Sequence, residues 1–412
     1  VSEVIEKVIH MQLIHYLETN KLLKQHKFGF RPKKCTQDAV LFLSDFIRQN
    51  MDQGNLTGAL YLDLRKAFDT VSHSCLINKL PYYGINNKEL CWISDYLFNR
   101  TQYVNYNQHT SSVNSLSYGV PQGSILGPLL FVILINDVPS SLVKCNILMY
   151  ADDAVIFCSG SSTKMIQNTI VDDGENIFRW FQQNDLILNL KKSKTEFILY
   201  GTPQKLRNQE KCNIIIKGTN IAQSTKYEYL GVILDQHLTF NDQINKIYKK
   251  ASNRLHLLNR IRCNVNPYSA LSIYHSMIEP IIMYCSPLYL GISNTAKKKL
   301  QSIEDRASKI IGKEHCHFIP LDEKIKKRSC AIVYQIIHNI KWYAPHIKFN
   351  VFNHGINTRG NNSKVIIPKM RTEAGRKSFT MQGALVFNLL PHSIRDENSY
   401  CIFKHKLKDY TL

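Results

Sequence analysis

The chain has 412 residues, 52 of them Lys or Arg against 32 Asp or Glu, for a formal charge of +20. That length supports two or three domains with substantial cores, and its longest apolar run, 129–135, falls far short of the roughly 20 residues of a membrane-spanning helix. Eleven scattered cysteines with no Cys-x-x-Cys pair argue against a zinc ribbon or a disulfide framework; reduced thiols in an intracellular setting are the expectation.

In chain order, Val4, Ile5, Val8, Ile9 and Leu13 recur at helical spacing and predict an opening amphipathic helix. Residues 39–50 and 91–100 read as further helices. Between them, residues 58–64 form a strand-like run that buries Asp63 among apolar neighbours. An ionised carboxylate so placed costs several kcal/mol unless it is paired. Arg65 and Lys66 follow closely, so a local salt bridge and a metal ion both remain open.

Residues 117–128 hold three glycines and two prolines, a bent backbone able to approach a ligand. Gln122 there offers both a donor and an acceptor, and 129–135 fits a buried helix. Tyr150-Ala151-Asp152-Asp153 lies between β-rich flanks and reads as a hairpin turn. Adjacent acids repel unless they are solvated or a hard divalent cation neutralises them.

From 241 to 311 the pattern turns helical, with breaks at 259–261 and 293–295. Its basic face carries Lys246, Lys249, Lys250, Arg254, Arg260 and Arg262; a solvated face and a nucleic-acid groove both fit it. Glu314, His315, Cys316 and His317, with Cys330, match no common zinc spacing. Charge is unevenly spread: residues 241–412 hold 28 basic and 11 acidic side chains, against 24 and 21 in residues 1–240. The downstream part is therefore the one expected to attract a phosphate backbone.

Three strings in this order carry a resemblance: 62–69 (Leu62-Asp63-Leu64-Arg65-Lys66-Ala67-Phe68-Asp69), 119–124 (Gly119-Val120-Pro121-Gln122-Gly123-Ser124) and 150–153. They resemble the palm motifs of reverse transcriptases, most closely those of non-LTR (LINE-type, jockey- or CR1-like) retrotransposons. Phe28-Gly29-Phe30-Arg31, Leu188-Asn189 through Lys194-Thr195-Glu196, and Tyr229-Leu230-Gly231-Val232 match as well. Near the end, Arg371-Thr372, Gly375 to Phe379 and Phe387 to Pro391 resemble the same elements.

The resemblance implies an α+β, right-hand polymerase with fingers, an antiparallel-sheet palm and a helical thumb, plus a basic C-terminal region. Fingers and palm would occupy 1–235, the thumb 236–312, and a region of unassigned role 313–412. The implied activity is RNA-directed DNA synthesis with Mg²⁺ (two ions, Mn²⁺ as a substitute). Its partners would be an RNA template, a DNA primer or nicked target DNA, and dNTPs, with no membrane. The implied location is a cytoplasmic ribonucleoprotein and the nucleus. Asp63 and Asp152 would ligate metal, with Asp153 taking a lesser share. Phe68 would lie under the sugar, with Leu64, Gln122 and Gly123 also at the nucleotide. Arg31, Lys33 and Lys34 would face the triphosphate, either lysine being able to reach it, and Lys194 the departing pyrophosphate. Tyr229, Leu230 and Gly231 would grip the primer. Family members carry more fingers sequence upstream, and commonly an endonuclease, so this chain reads as a fragment or a decayed copy. The rival reading is a non-catalytic RNA-binding remnant.

Overall fold

The structure, a computed structural model, describes residues 2–98, 100–191, 194–316, 318–340, 347, 349 and 364–412. Asn99, Lys192, Ser193 and His317, which fall within segments singled out above, lie outside the described residues. In chain order the α-helices among the described residues are α1 (Ser2–Thr19), α2 (Thr36–Asp52), α3 (His73–Lys79), α4 (Asn87–Leu97), α5 (Gly127–Leu134), α6 (Thr163–Gln183), α7 (Pro203–Leu206), α8 (Asn241–Ile261), α9 (Pro267–Ile273), α10 (Glu279–Met283), α11 (Asn294–Ile311), α12 (Leu321–Ile337), α13 (Glu373–Arg376), α14 (Phe379–Asn388), α15 (His392–Arg395) and α16 (Tyr400–Asp409). The strands are β1 (Leu56–Leu62), β2 (Thr101–Gln102), β3 (Asn105–Tyr106), β4 (His109–Thr110), β5 (Asn114–Ser115), β6 (Asn146–Tyr150), β7 (Asp153–Gly160), β8 (Glu196–Tyr200), β9 (Ile214–Ile216), β10 (Thr219–Gln223), β11 (Lys226–Tyr229) and β12 (Val232–Asp235).

The chain divides into two compact units: Val1–Cys35, Gly58–Leu199 and Glu210–Ser224 form the first; Thr36–Thr57, Tyr200–Gln209 and Thr225–Leu412 form the second. These units do not follow linear bounds, because α2 groups with the C-terminal half.

The first unit is built on a six-stranded sheet in the order β6-β7-β1-β8-β10-β9. Strand β1 is buried along its whole length, as a central strand covered on both faces must be. The β6/β7 pair is antiparallel, with Tyr150 opposite Asp153, whereas β8 and β10 run parallel. The sheet is therefore mixed rather than wholly antiparallel. Helix α6 is capped by Ser162, whose hydroxyl accepts from Met165 N at 3.3 Å, and it buries Ile166, Ile170, Ile177 and Phe181 on one face. The buried carboxylate of Asp173 in the same helix accepts from the backbone N–H groups of Val143, Lys144 and Cys145. Burial raises its pKa, but those donors win and hold it below the usual carboxylate range. This collar fixes the chain just before β6.

In the second unit, α8 buries Ile244, Ile247, Ala251, Leu255 and Leu258, a helical stripe that packs against α11. Arg262 closes the end of α11 by donating to Ile310 O at 2.7 Å and Ile311 O at 3.0 Å. Lys246 pairs with Glu228, and Arg254 donates to Met277 O. Half of the anticipated basic face is thus engaged internally, while Lys249, Lys250 and Arg260 stay exposed.

The C-terminal segment is part of this unit's core. Asp52 of α2 accepts from Arg371 N at 2.8 Å and from Thr372 N and Oγ1 at 2.6 and 2.9 Å. Asp45, fully buried, accepts from Thr380 N at 3.1 Å. A Cβ on Gly375 would come within 2.4 Å of Asp52 Oδ1, so only glycine lets α13 approach so closely. The Cys316 thiol donates to Gly312 O, and Cys330 is a free, fully buried thiol.

Candidate active site

Asp152 sits in the two-residue turn between β6 and β7, after Ala151, whose φ of 55° lies in the left-handed region. A non-glycine residue is strained there, and the segment beside it braces the turn. Phe28 N donates to Met149 O at 2.8 Å, and Met149 N donates to His26 O at 3.0 Å. Gly29 follows directly, and a Cβ on it would lie 2.3 Å from Ala151 N. The glycine of the Phe28–Arg31 string is therefore a contact requirement of the acidic turn.

Asp63 follows the last residue of β1, the neighbour of β7 in the sheet. Its carboxylate accepts from Asn189 Nδ2 at 2.9 Å, and its carbonyl accepts from Asn189 N at 2.8 Å. Lys194 Nζ stands 4.0 Å from Asp63 Oδ1, with both side chains partly exposed, a spacing that contributes less than about 1 kcal/mol. Among the described residues neither Arg65 nor Lys66 is in an ion pair with Asp63, and the Arg65 backbone N–H donates to Ile187 O. Asp153 reaches solvent, yet the protein packed around it, then the charges of Asp152 and Asp63, push its carboxyl up to about 6. The three acids thus share one electrostatic neighbourhood. An all-carboxylate donor set of this kind fits a hard divalent cation. Among the described residues no three acidic, His or Cys side chains form a group that could hold a metal ion.

The 119–124 loop is tied to the turn after Asp63. Val120 N donates to Phe68 O and Gly119 N to Val71 O. The exposed Gln122 donates from Nε2 to Asp69 Oδ1 at 2.7 Å. Gly123, with a φ of 84°, has open space where a side chain would stand. Phe68 is half-buried, its ring 4.8 Å from that of Phe131 and 6.0 Å from that of Phe30. Leu64 is buried and bridges to Leu188. From α1, the buried Glu6 accepts from Ile125 N at 2.8 Å and Leu126 N at 3.4 Å, which fixes the loop where α5 begins.

The three basic residues near 31–34 differ in availability. The Arg31 guanidinium makes a bidentate pair with Glu18 (2.8 and 2.6 Å) and donates to Lys24 O at 2.7 Å. Its guanidinium is therefore already engaged in this structure. Lys34 donates to Gln25 O and Lys27 O. Lys33 is exposed, with no partner among the described residues. In the second unit, Tyr229-Leu230-Gly231 closes the β11/β12 hairpin, with φ of 48° and 79° at its two central residues, a turn geometry that glycine serves well. Tyr284 OH donates to Leu230 O at 2.8 Å.

Four residues of this site were given no role from sequence: Glu6, Gly29, Asp69 and Asn189. The last three lie inside matched strings, so their positions were visible. Their partners are 53 to 126 residues away, and no local pattern announces such a bond.

The model for reverse transcriptase (RNA-dependent DNA polymerase) matches residues 2–234. Among curated proteins, the probable RNA-directed DNA polymerase from transposon X-element of Drosophila melanogaster is 25% identical over 76% of this chain and 34% of its own length. The RNA-directed DNA polymerase from mobile element jockey of the same species is 25% identical over 73% of this chain and 33% of its own. The chain thus spans about a third of the length of these relatives. Among solved structures, telomerase from Candida albicans in complex with a fragment of telomeric RNA aligns with a TM-score of 0.42 at 12% identity, over 79% of this chain and 57% of that one. The family match covers more than half of the sequence and takes in both the acidic turn and the strand that precedes Asp63, so this chain belongs to the reverse transcriptase (RNA-dependent DNA polymerase) family, whose fold is the right-hand polymerase.

Proposed function

We propose that this chain is the polymerase portion of a non-LTR retrotransposon protein, extending a primer 3′-hydroxyl with dNTPs on an RNA template. The observation that carries the reading is the placement of Asp63, just after β1, next to β7 in the sheet whose β6/β7 turn holds Asp152 and Asp153. Asp63 and Asp152 would hold the metal, with Asp153 contributing less. Two bound Mg²⁺ ions, or Mn²⁺ in their place, supply activation of the 3′-hydroxyl and neutralisation of the pyrophosphate.

The protein's own groups do the rest. Asn189 keeps the Asp63 carboxylate in a single orientation, as an outer-shell donor does. Lys33 is the unengaged cation for the triphosphate, and Lys194 the one near the leaving group. The Phe68 ring limits the space beside the sugar, and Gln122, held by Asp69, lies at the nucleotide. Lys249, Lys250 and Arg260 suit a nucleic-acid backbone, and Tyr229, Leu230 and Gly231 suit the primer strand. Among the described residues no helix is long and apolar enough to cross a membrane. The reading carries with it a cytoplasmic ribonucleoprotein and a nuclear site of synthesis.

The test is Mg²⁺-dependent extension of oligo(dT) on poly(rA). Wild type extends, and Asp152→Ala abolishes extension while leaving RNA binding intact. RNA binding by the wild type with no extension under Mg²⁺ or Mn²⁺ would instead favour a non-catalytic RNA-binding protein.

A further inference from the structure

A second surface of the first unit has no role in the scheme above. Between α4 and the 119–124 loop the chain makes an excursion in which every residue from 101 to 115 is exposed. Two short ladders, β2/β5 and β3/β4, form it. They are joined by Ser111 N to Val104 O at 2.8 Å and Leu116 N to Arg100 O at 2.8 Å. The ribbon carries Tyr103 and Tyr106 at 60% and 74% exposure, and Tyr118 follows at 53%. No Asp or Glu occurs between Asp95 and Asp137. At its base lies a cavity of about 640 Å³ whose walls include Asp69, His73, Arg100, Gln102, Tyr118 and Gln122.

These walls present unmet polar chemistry. Arg100 rests on the Tyr96 ring and makes only a 3.5 Å contact to Tyr96 O among the described residues. His73 is buried, with Nε2 2.7 Å from Gly119 O. A carbonyl can only accept, so Nε2 carries a proton, and the buried Nδ1 has no partner among the described residues. Asp69 spends one oxygen on Gln122 and has the other to offer.

We propose that this cavity and ribbon bind the unpaired RNA template ahead of the templating base. The inference rests on the polymerase reading. Exposed tyrosines on a ribbon free of carboxylates stack bases irrespective of sequence. Arg100 meets a phosphate, while Asp69 accepts from a 2′-hydroxyl or a base amine. The volume fits one nucleotide. Duplex product has its bases already paired and stacked, so only the uncopied strand can use such a platform. Gln122 belongs both to this cavity and to the loop proposed to face the nucleotide, which makes the two sites continuous.

The full chain is tested with Tyr103→Ala/Tyr106→Ala and with the corresponding pair of Phe substitutions, both at exposed positions. One arm measures binding of a ten-nucleotide single-stranded RNA and crosslinking from 4-thiouridine placed two or three nucleotides ahead of the templating base. The other compares extension on RNA templates with and without a 5′ overhang. Binding falls roughly tenfold or more for the Ala pair and returns with the Phe pair. The crosslink maps to residues 100–118, and the rate gain conferred by an overhang disappears in the Ala pair. Unchanged binding by the Ala pair, an equal defect in the Phe pair, or crosslinking only elsewhere overturns the proposal. The binding arm needs no catalysis, so a protein that never extends a primer refutes the polymerase reading while this arm still decides the subsite.

Discussion

Asp153→Asn should stabilise the metal-free protein. The carboxyl is raised from 3.8 to about 6 by its surroundings and by Asp152 and Asp63, a displacement of roughly two pH units. At about 1.4 kcal/mol per unit, a fully enclosed group would carry a penalty of roughly 3 kcal/mol when ionised. Asp153 is exposed, and solvent screening reduces this to about 1 kcal/mol. The sign follows from linkage: the folded state holds this proton more tightly than the unfolded one. Near pH 4 and below there is little cost; the cost grows between 3.8 and 6 and is complete above. Thermal unfolding in EDTA should therefore place the variant about 2 °C above wild type at pH 7.5, with the two converging near pH 4. Added Mg²⁺ should erase the advantage, because a cation neutralises the crowding in wild type and has less to neutralise in the variant. A variant less stable at pH 7.5, or a difference independent of pH, would refute the idea that these carboxylates repel one another.

Gly29→Ala drives a methyl group against Ala151 N. It should cut extension at least tenfold through kcat while RNA affinity holds; a drop in affinity alone would show that the acidic turn had not moved. Phe68→Val opens space beside Phe131, and should raise use of ribonucleotides relative to deoxynucleotides about tenfold or more. Unchanged selectivity would remove Phe68 from the sugar pocket. Gly375→Ala and Asp52→Ala break one clamp from its two sides, each costing on the order of 2 kcal/mol in urea unfolding. The double variant should cost little more than either alone; additive losses would mean the two residues do not share that contact.

Much of the candidate site was legible because its parts are local. A β-rich run, a turn and a second run announce the hairpin around Asp152, and an apolar strand with one acid near its end singles out Asp63. Gly/Pro spacing marks the bent loop at 119–128, and continuous hydrophobicity marks the helix after it. The availability of cations was not legible. Arg31, Lys33 and Lys34 look alike along the chain, and only the folded chain shows that Glu18 consumes the first and two backbone carbonyls the third. The same holds for the basic face of α8, where Arg262 caps α11 while Lys249 remains exposed. The parallel β8/β10 pair also escaped the pattern, since alternation of apolar residues reports a strand but not the direction of its neighbour.

Residues 364–412 show the division most sharply. Their sequence carries short matched strings and falls within residues 313–412, which read as a basic C-terminal region. In the folded protein Arg371, Thr372, Gly375 and Thr380 close on Asp52 and Asp45 of α2, more than 300 residues earlier. The sequence by itself determined which residues could turn, cap, bury or ligate, because those properties reside in a side chain and its near neighbours. Tertiary structure alone decided which charges are already satisfied and which remain for a ligand, because a hydrogen bond between distant residues depends on where the chain folds back and leaves no periodic trace.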